Sequence, residues 1–158
     1  MKEVIKLFKQ IQEISGTNDK KAIISANKDN ELFKKCLVFL LDGNVITGLS
    51  AKKIAKKVMK SEYILPTFED VMKYLAQNNT GTDNDISMIQ AFLNEHDEDR
   101  EFYEQMITKK FKLGADKKVV NACIPGLIPS WDIQQAYPLS EKNEPKDSEW
   151  FALTQKIN

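Results

Sequence analysis

Several residue types that define classes of small protein are scarce in this chain. Only two of its 158 residues are cysteines, Cys36 and Cys123, and neither has CxxC or Cys/His spacing. This excludes a disulfide scaffold and the usual zinc sites, and it predicts two reduced core cysteines in a cytoplasmic protein. The longest apolar run, 36–41, is far shorter than the ~20 residues of a membrane span. Charges interrupt the first nine residues, so neither membrane insertion nor secretion is indicated.

The chain also contains little arginine and has no net charge. Arg100 is the single arginine, and 23 basic residues are balanced by 23 acidic ones. A net charge of zero argues against a protein that coats nucleic acid through bulk charge. Without arginine, phosphate contacts would be made by lysine point charges, which favours the sugar-phosphate backbone over base edges. The chain also lacks a Gly-rich phosphate loop, a GxSxG turn and a metal-ligand cluster, so hydrolases and oxidoreductases have no support.

The charge that is present is unevenly distributed. Residues 51–60 contain five lysines and no acid, whereas residues 83–104 contain eight acids and one arginine. We therefore expect a basic face and an acidic face. Read as a helix capped by Ser50 and extending to about residue 60, the lysine run places its charges on one side, with Ile54, Ala55, Val58 and Met59 inward. Its lysines are candidates for tracking phosphates, and a solvated helix face is the alternative; the candidates are Lys52, Lys53 and Lys56.

Apolar residues recur at helical spacing through much of the chain. Apolar residues at Val4, Phe8 and Ile11 predict a first helix that ends at 15–16, and further helices are predicted at 17–26, 30–40, 50–60, 66–76, 86–93, 102–113 and 117–123. Prolines at positions 125, 129 and 138 then break regular structure. The prediction is an all-α domain of about seven to eight helices at 1–130, an extended connector at 131–149, and a short strand in a final segment, 150–158.

A second basic segment runs from residue 109 to residue 118. Gly114 is predicted to end one helix and to permit close backbone approach, while Asp116 caps the next helix, whose N-terminus offers free N–H groups to a phosphate. Neighbouring residues complete the candidate site: Lys110, Lys112, Ala115, Lys117, Lys118 and Asn121. The alternative is a solvated helix junction with a glycine C-cap.

Two stretches resemble ATP-dependent DNA ligases, most closely the short ligases of T-even-type bacteriophages. The first comprises 14–17, 20–24 and 27–34, which read ISGT, KKAII and NKDNELFK. The second comprises KFKLG at 110–114 and IPGLIP at 124–129, leading to FALTQK at 151–156. In that family an all-helical DNA-binding domain precedes a nucleotidyltransferase domain, in which the lysine of a KxDG motif attacks ATP. The resemblance implies that Lys156 is this lysine, although Asn158 stands where the family usually has Asp.

The resemblance also implies how the chain is used. The basic-x-basic-x-Gly element, matched here by Lys110, Lys112 and Gly114, would lie against the DNA backbone on the minor-groove side. The expected partner is duplex DNA, in particular nicked DNA, gripped by a monomer without sequence specificity. These 158 residues would hold no cofactor and would not adenylylate themselves, whereas a full-length enzyme would use ATP and Mg²⁺. Two alternatives remain open: a helical protein-interaction or regulatory module whose acidic face meets a basic partner, and a prophage remnant without ligase activity.

Overall fold

Eight α-helices and one 3₁₀ turn are present in residues 1–129, the part of the chain that the computed structural model describes. They are α1 (Lys2–Glu13), α2 (Thr17–Ala26), α3 (Glu31–Leu41), α4 (Ala51–Ile54), α5 (Phe68–Gln77), α6 (Asp83–Glu95), the 3₁₀ turn (Asp97–Asp99), α7 (Arg100–Ile107) and α8 (Lys117–Cys123). The predicted all-α class is confirmed. None of these helices is long and apolar enough to cross a bilayer. The predicted connector, the predicted strand and Lys156 lie outside the described residues.

Most helices begin where a short polar side chain can accept a hydrogen bond from the first turn. Such an oxygen satisfies one of the backbone N–H groups that the helix leaves unpaired. The predicted cap Asp116 is confirmed, because it accepts from the N–H of Val119 at 2.9 Å; at the start of α3, Asn30 accepts from the N–H of Phe33 at 3.0 Å. Ser50, Thr67 and Thr82 cap α4, α5 and α6 in the same way.

The core is organised around the ring of Phe8, which is fully buried on the apolar stripe of α1. Its edge-on aromatic neighbours are Phe33 of α3 at 5.6 Å, Phe102 of α7 at 5.7 Å and Phe111 at 5.7 Å. Such edge-to-face pairs add to the stabilisation from burial alone. Because Phe111 lies between α7 and α8, this cluster also fixes the segment that joins them.

The predicted extent of the lysine-rich helix is wrong, because α4 ends at Ile54. The side-chain amide of Gln90 donates to the carbonyl oxygens of Ile54, at 2.7 Å, and Lys56, at 2.8 Å. A continuing helix would need these two oxygens for the N–H groups four residues on. Lysines spaced four apart also repel one another along a helix. Ala55 and Met59, predicted to face inward, are exposed, Met59 by 90%.

The helix predicted to continue to Gly114 is also shorter, because α7 ends at Ile107. Lys109 has a φ of 59°, in the left-handed region. The N–H of Lys109 donates to the carbonyl of Met106 at 3.1 Å, and that of Lys110 to the carbonyl of Gln105 at 2.8 Å. This pair of bonds defines a Schellman motif, here with lysine in the position that glycine usually takes. Gly114 therefore does not end a helix, and residues 110–116 form a loop.

Candidate nucleic-acid interface

The loop that follows α7 alternates between buried and exposed residues. Phe111, Leu113 and Ala115 are buried, with exposures of 7%, 2% and 7%. The intervening residues, Lys110, Lys112 and Gly114, are exposed. A period of two is typical of extended backbone, in which alternate residues point to opposite sides and lie about 6.6 Å apart. Lys110 and Lys112 therefore share one outward side, and the exposed Gly114 follows them.

Two side chains from the first two helices hold this loop in place. The amide of Gln12 donates to the carbonyl oxygen of Lys112 at 3.1 Å. The ammonium of Lys20 donates to the carbonyl oxygens of Leu113, at 3.5 Å, and Ile11, at 2.8 Å. Ile11 lies in the last turn of α1, so Lys20 also satisfies an unpaired carbonyl at that helix end. The backbone between the exposed lysines is thus anchored from below.

Two features of position 114 favour a glycine there. Its φ of +70° lies in the left-handed region, which disfavours a side chain. A Cβ at this position would also collide with the ammonium nitrogen of Lys20. Within the described residues, the backbone of Gly114 lies close to a lysine of the same chain, and the predicted approach to a phosphate stays a prediction.

The remaining predicted residues around α8 fall into two groups. Lys117 and Lys118 are exposed in its first turn. Asn121 uses its side-chain amide within the chain, donating to the carbonyl of Ile128 at 2.8 Å and accepting from its N–H at 2.9 Å. Because Asp116 already accepts from the N–H of Val119, the N-terminus of α8 is capped by an acid. The exposed charge of this region consequently comes from lysine side chains.

The three predicted lysines near α4 also differ in their surroundings. Lys52 is exposed. Lys53 donates to the carbonyls of Gly48, at 2.8 Å, and Thr80, at 3.1 Å, and so joins two loops. Lys56 forms an ion pair of 2.6 Å with Asp83. This pair brings the lysine run into contact with the acidic region instead of keeping the two apart.

The acidic region itself is divided between surface and interior. Asp97, Glu98 and Glu101 border a polar hollow of about 550 Å³ that Lys110 also lines. Asp85 is 3% exposed and accepts from the hydroxyl of Tyr74 at 2.8 Å. Burial alone would raise the pKa of Asp85, but the hydrogen bonds from Thr82 and Tyr74 outweigh it, and the pKa is lowered.

His96 is the C-cap residue that follows α6. Its ring stacks on Phe92 with centroids 4.3 Å apart, and its Nδ1 lies 2.9 Å from the carbonyl oxygen of the same residue. The predicted core cysteine Cys36 is buried, and burial raises its pKa to about 12. Cys123, also predicted to lie in the core, is only half-buried. Neither thiol forms a disulfide.

Sequence reasoning missed the lysines that hold the loop. Lys20 is 6% exposed, and Lys109 donates to the carbonyl oxygen of Phe39 in the last turn of α3. For Lys20 a signal existed, because it precedes the buried Ile24 by four residues and so shares its helix face. For Lys109 no local signal existed, since its acceptor is 70 residues earlier in the chain.

Comparison with known proteins gives a distant relationship. No family model matches the chain. It is 25% identical, over an alignment of 158 positions, to the DNA ligase of Enterobacteria phage T4, and equally to that of Enterobacteria phage T6. The alignment covers 96% of this chain and 32% of each ligase, so the chain spans about a third of the length of these curated relatives. The similarity supports a ligase-like relationship for this chain, whose described residues are all-α.

Proposed function

We propose that residues 1–129 form the DNA-binding domain of a ligase-related protein. The domain grips duplex DNA, in particular nicked DNA, through the sugar-phosphate backbone and without sequence specificity, and it acts as a monomer. The observation that carries the proposal is the exposure pattern of the loop, in which Lys110, Lys112 and Gly114 are exposed and the residues between them are buried. The similarity to phage DNA ligases adds independent support.

The anchoring of the loop suits this task. Lysines that project from a fixed backbone lose little further backbone freedom when they bind, which lowers the entropic cost of association. Lysine ammonium groups attract phosphate oxygens but present no planar fork to a base edge, so they position DNA without reading it. Lys117 and Lys118 extend the track along α8, and Lys52 adds a further exposed charge.

The ligation chemistry belongs, on this proposal, to a complete enzyme that uses ATP and Mg²⁺. Lys156 would supply the nucleophilic amine, in line with the resemblance of residues 151–156 to the family motif. Residues 1–129 contain no group of three or more His, Cys, Asp or Glu side chains that could hold a metal ion. On this proposal other residues bind Mg²⁺ and the nucleotide, and the role of the described residues is to hold DNA.

Fluorescence anisotropy with nicked and intact duplexes across a salt series tests the proposal. Each neutralised phosphate contributes about 0.9 to the slope of log affinity against log salt, so Lys110→Ala/Lys112→Ala should lower that slope by about 1.8. The matched control is Lys6→Ala/Lys9→Ala, which removes two exposed lysines from α1 beside the acidic 3₁₀ turn. We expect the control to keep the wild-type slope. Equal slopes for both double variants, or no binding by the wild type at low salt, would overturn the proposal.

A second candidate function is protein interaction. Met59, Tyr63 and Ile64 expose 90%, 64% and 43% of their surface in the segment between α4 and α5. Large apolar side chains exposed close together often mark a contact with another protein. If this surface is the functional one, Met59→Ser/Tyr63→Ser should abolish binding to the partner, and Lys110→Ala/Lys112→Ala should leave it unchanged. If the first proposal is correct, the anisotropy experiment gives the opposite result: Lys110→Ala/Lys112→Ala weakens binding to DNA, and Met59→Ser/Tyr63→Ser does not.

A further inference from the structure

Lys20 carries a buried charge that its neighbours only partly satisfy. Its side chain projects from α2, and the residue is 6% exposed. An ammonium has three N–H donors. Among the described residues, two oxygens accept from it: the carbonyl of Ile11 at 2.8 Å and that of Leu113 at the longer distance of 3.5 Å. At least one donor therefore has no acceptor within the described part of the chain.

The backbone of Gly114 lies over the ammonium of Lys20. The glycine is exposed, and the direction in which its side chain would project leads to the nitrogen of Lys20. Any other residue would place its Cβ against the ammonium. The absence of a side chain thus leaves the buried charge close to the outward side of the loop, next to the exposed Lys112.

Electrostatics makes this position attractive to an anion. A charge interaction is stronger away from bulk water, because the effective dielectric constant is lower there. A partly unpaired buried cation costs free energy, and an anionic oxygen would recover it through a charge-assisted hydrogen bond. The ligand class that fits is a phosphodiester, since the exposed lysines on the same side of the loop attract a chain of phosphates.

We propose that a DNA phosphate sits over Gly114 and accepts a hydrogen bond from the buried ammonium of Lys20, with Lys112 beside it. This inference rests on the proposed DNA-binding function and adds one specific phosphate position to it. Lys20 then has two roles: it caps α1 and holds the loop, and it contacts the ligand directly. If Lys20 only held the loop and did not contact the ligand, DNA binding would leave the surroundings of the Lys20 ammonium unchanged.

The first experiment observes the lysine ammonium groups of the wild-type chain by ¹⁵N NMR while nicked duplex is added at low salt. Lys20→Arg assigns the Lys20 signal, and Lys109 is an internal control because its ammonium binds α3 carbonyls. We expect the Lys20 signal to shift with the binding curve and the Lys109 signal to stay in place. If DNA shifts the Lys112 signal and leaves that of Lys20 unmoved, the inference is wrong.

The second experiment compares alanine substitutions at two glycines that have nearly equal φ angles. Gly114 and Gly126 have φ values of 70° and 72°, but a Cβ at Gly126 would meet nothing within 4 Å. Both alanine variants therefore place a side chain at a positive φ, and only Gly114→Ala covers Lys20. We expect Gly114→Ala to lower the salt slope by about 0.9, as Lys20→Met does, and Gly126→Ala to leave it unchanged. Circular dichroism verifies that each variant is folded.

The outcomes separate this inference from the function on which it rests. If Lys110→Ala/Lys112→Ala lowers the slope but Gly114→Ala and Lys20→Met do not, DNA binds the loop and the Lys20 contact is refuted. If the Lys110 and Lys112 charges have no effect on binding either, the proposed function itself fails. A Lys20 signal that responds to inorganic phosphate but not to DNA would also refute the contact.

Discussion

Two adjacent lysines, Lys109 and Lys110, should respond to the same substitution in opposite ways. Lys109→Met keeps an unbranched side chain and removes the charge, as does Lys110→Met. The ammonium of Lys109 donates to the carbonyl oxygens of Phe39, Leu40 and Asp42 at the C-terminal end of α3, whereas Lys110 is exposed. We predict that the first variant is destabilised and binds DNA normally, and that the second is stable and binds DNA less well.

The size of the effect follows from the bonds that are lost. A hydrogen bond to a charged group contributes about 1.5–3 kcal/mol, and the contacts of Lys109 with Leu40, at 3.5 Å, and Asp42, at 3.3 Å, are weaker than that with Phe39. Lys109 is half-buried, and this burial lowers the pKa of its ammonium, so a desolvation cost offsets some of the gain. We therefore expect Lys109→Met to lower the free energy of unfolding by about 2 kcal/mol. For a domain of this size the fall in Tm would be about 6–10 °C.

A third variant isolates the backbone contribution. Lys109 has left-handed backbone angles, which cost an L-residue roughly 1–2 kcal/mol but cost glycine little. Lys109→Gly should therefore lose the ammonium yet unfold at a higher urea concentration than Lys109→Met. Urea unfolding followed by circular dichroism at 222 nm gives the free energies of unfolding of Lys109→Met, Lys110→Met and Lys109→Gly. If Lys109→Met lies within about 0.5 kcal/mol of the wild type, the cap on α3 does not stabilise the fold and the reasoning is refuted.

Two further predictions concern groups that join separate segments. Lys53→Met, which loses bonds to two loops, should lower the free energy of unfolding by about 1–2 kcal/mol, while the adjacent Lys52→Met leaves it unchanged in the same urea assay. Asp85 has a pKa below its ordinary value of 3.8, so its ionised form stabilises the fold above that pH and this contribution is lost as the pH falls through the folded-state pKa. Asp85→Asn should therefore cost about 1 kcal/mol at pH 7, and its difference from the wild type should shrink below pH 3.8. A difference that is the same at pH 7 and pH 3 would contradict this assignment.

The helices that the sequence predicted well are those whose signals act over a few residues. The apolar spacing of α1 and the caps Asn30 and Asp116 are complete within one or two turns, so no distant residue is needed to interpret them. The two helix ends that were wrong depend on tertiary contacts. Gln90 takes carbonyl oxygens at the end of α4, and the side chain of Lys109 reaches α3. Periodicity carries no information about either contact.

The candidate interface was predictable in part for the same reason. The exposure of Lys110 and Lys112 agrees with their place in a polar, glycine-containing segment. The sequence did not distinguish them from Lys53 and Lys109, which have the same charge and donate to backbone carbonyls. A lysine has a flexible four-carbon stem and can satisfy a helix end or a loop far away in the chain. Whether its charge is available to DNA is thus a property of the fold.

On the proposed function, this division of the lysines would let a chain with no net charge hold DNA along one track. The polar hollow bordered by Glu98 and Glu101 begins at Lys110, and its carboxylates would repel a phosphate backbone that continued in that direction. On the other side of Lys110 the loop continues through Lys112 and Gly114 to the exposed lysines of α8. The DNA backbone is therefore expected to run from Lys112 towards α8, with Lys110 at the edge. Since repulsion limits the track at one end and lysines extend it at the other, the domain can fix the direction of the DNA without reading any base.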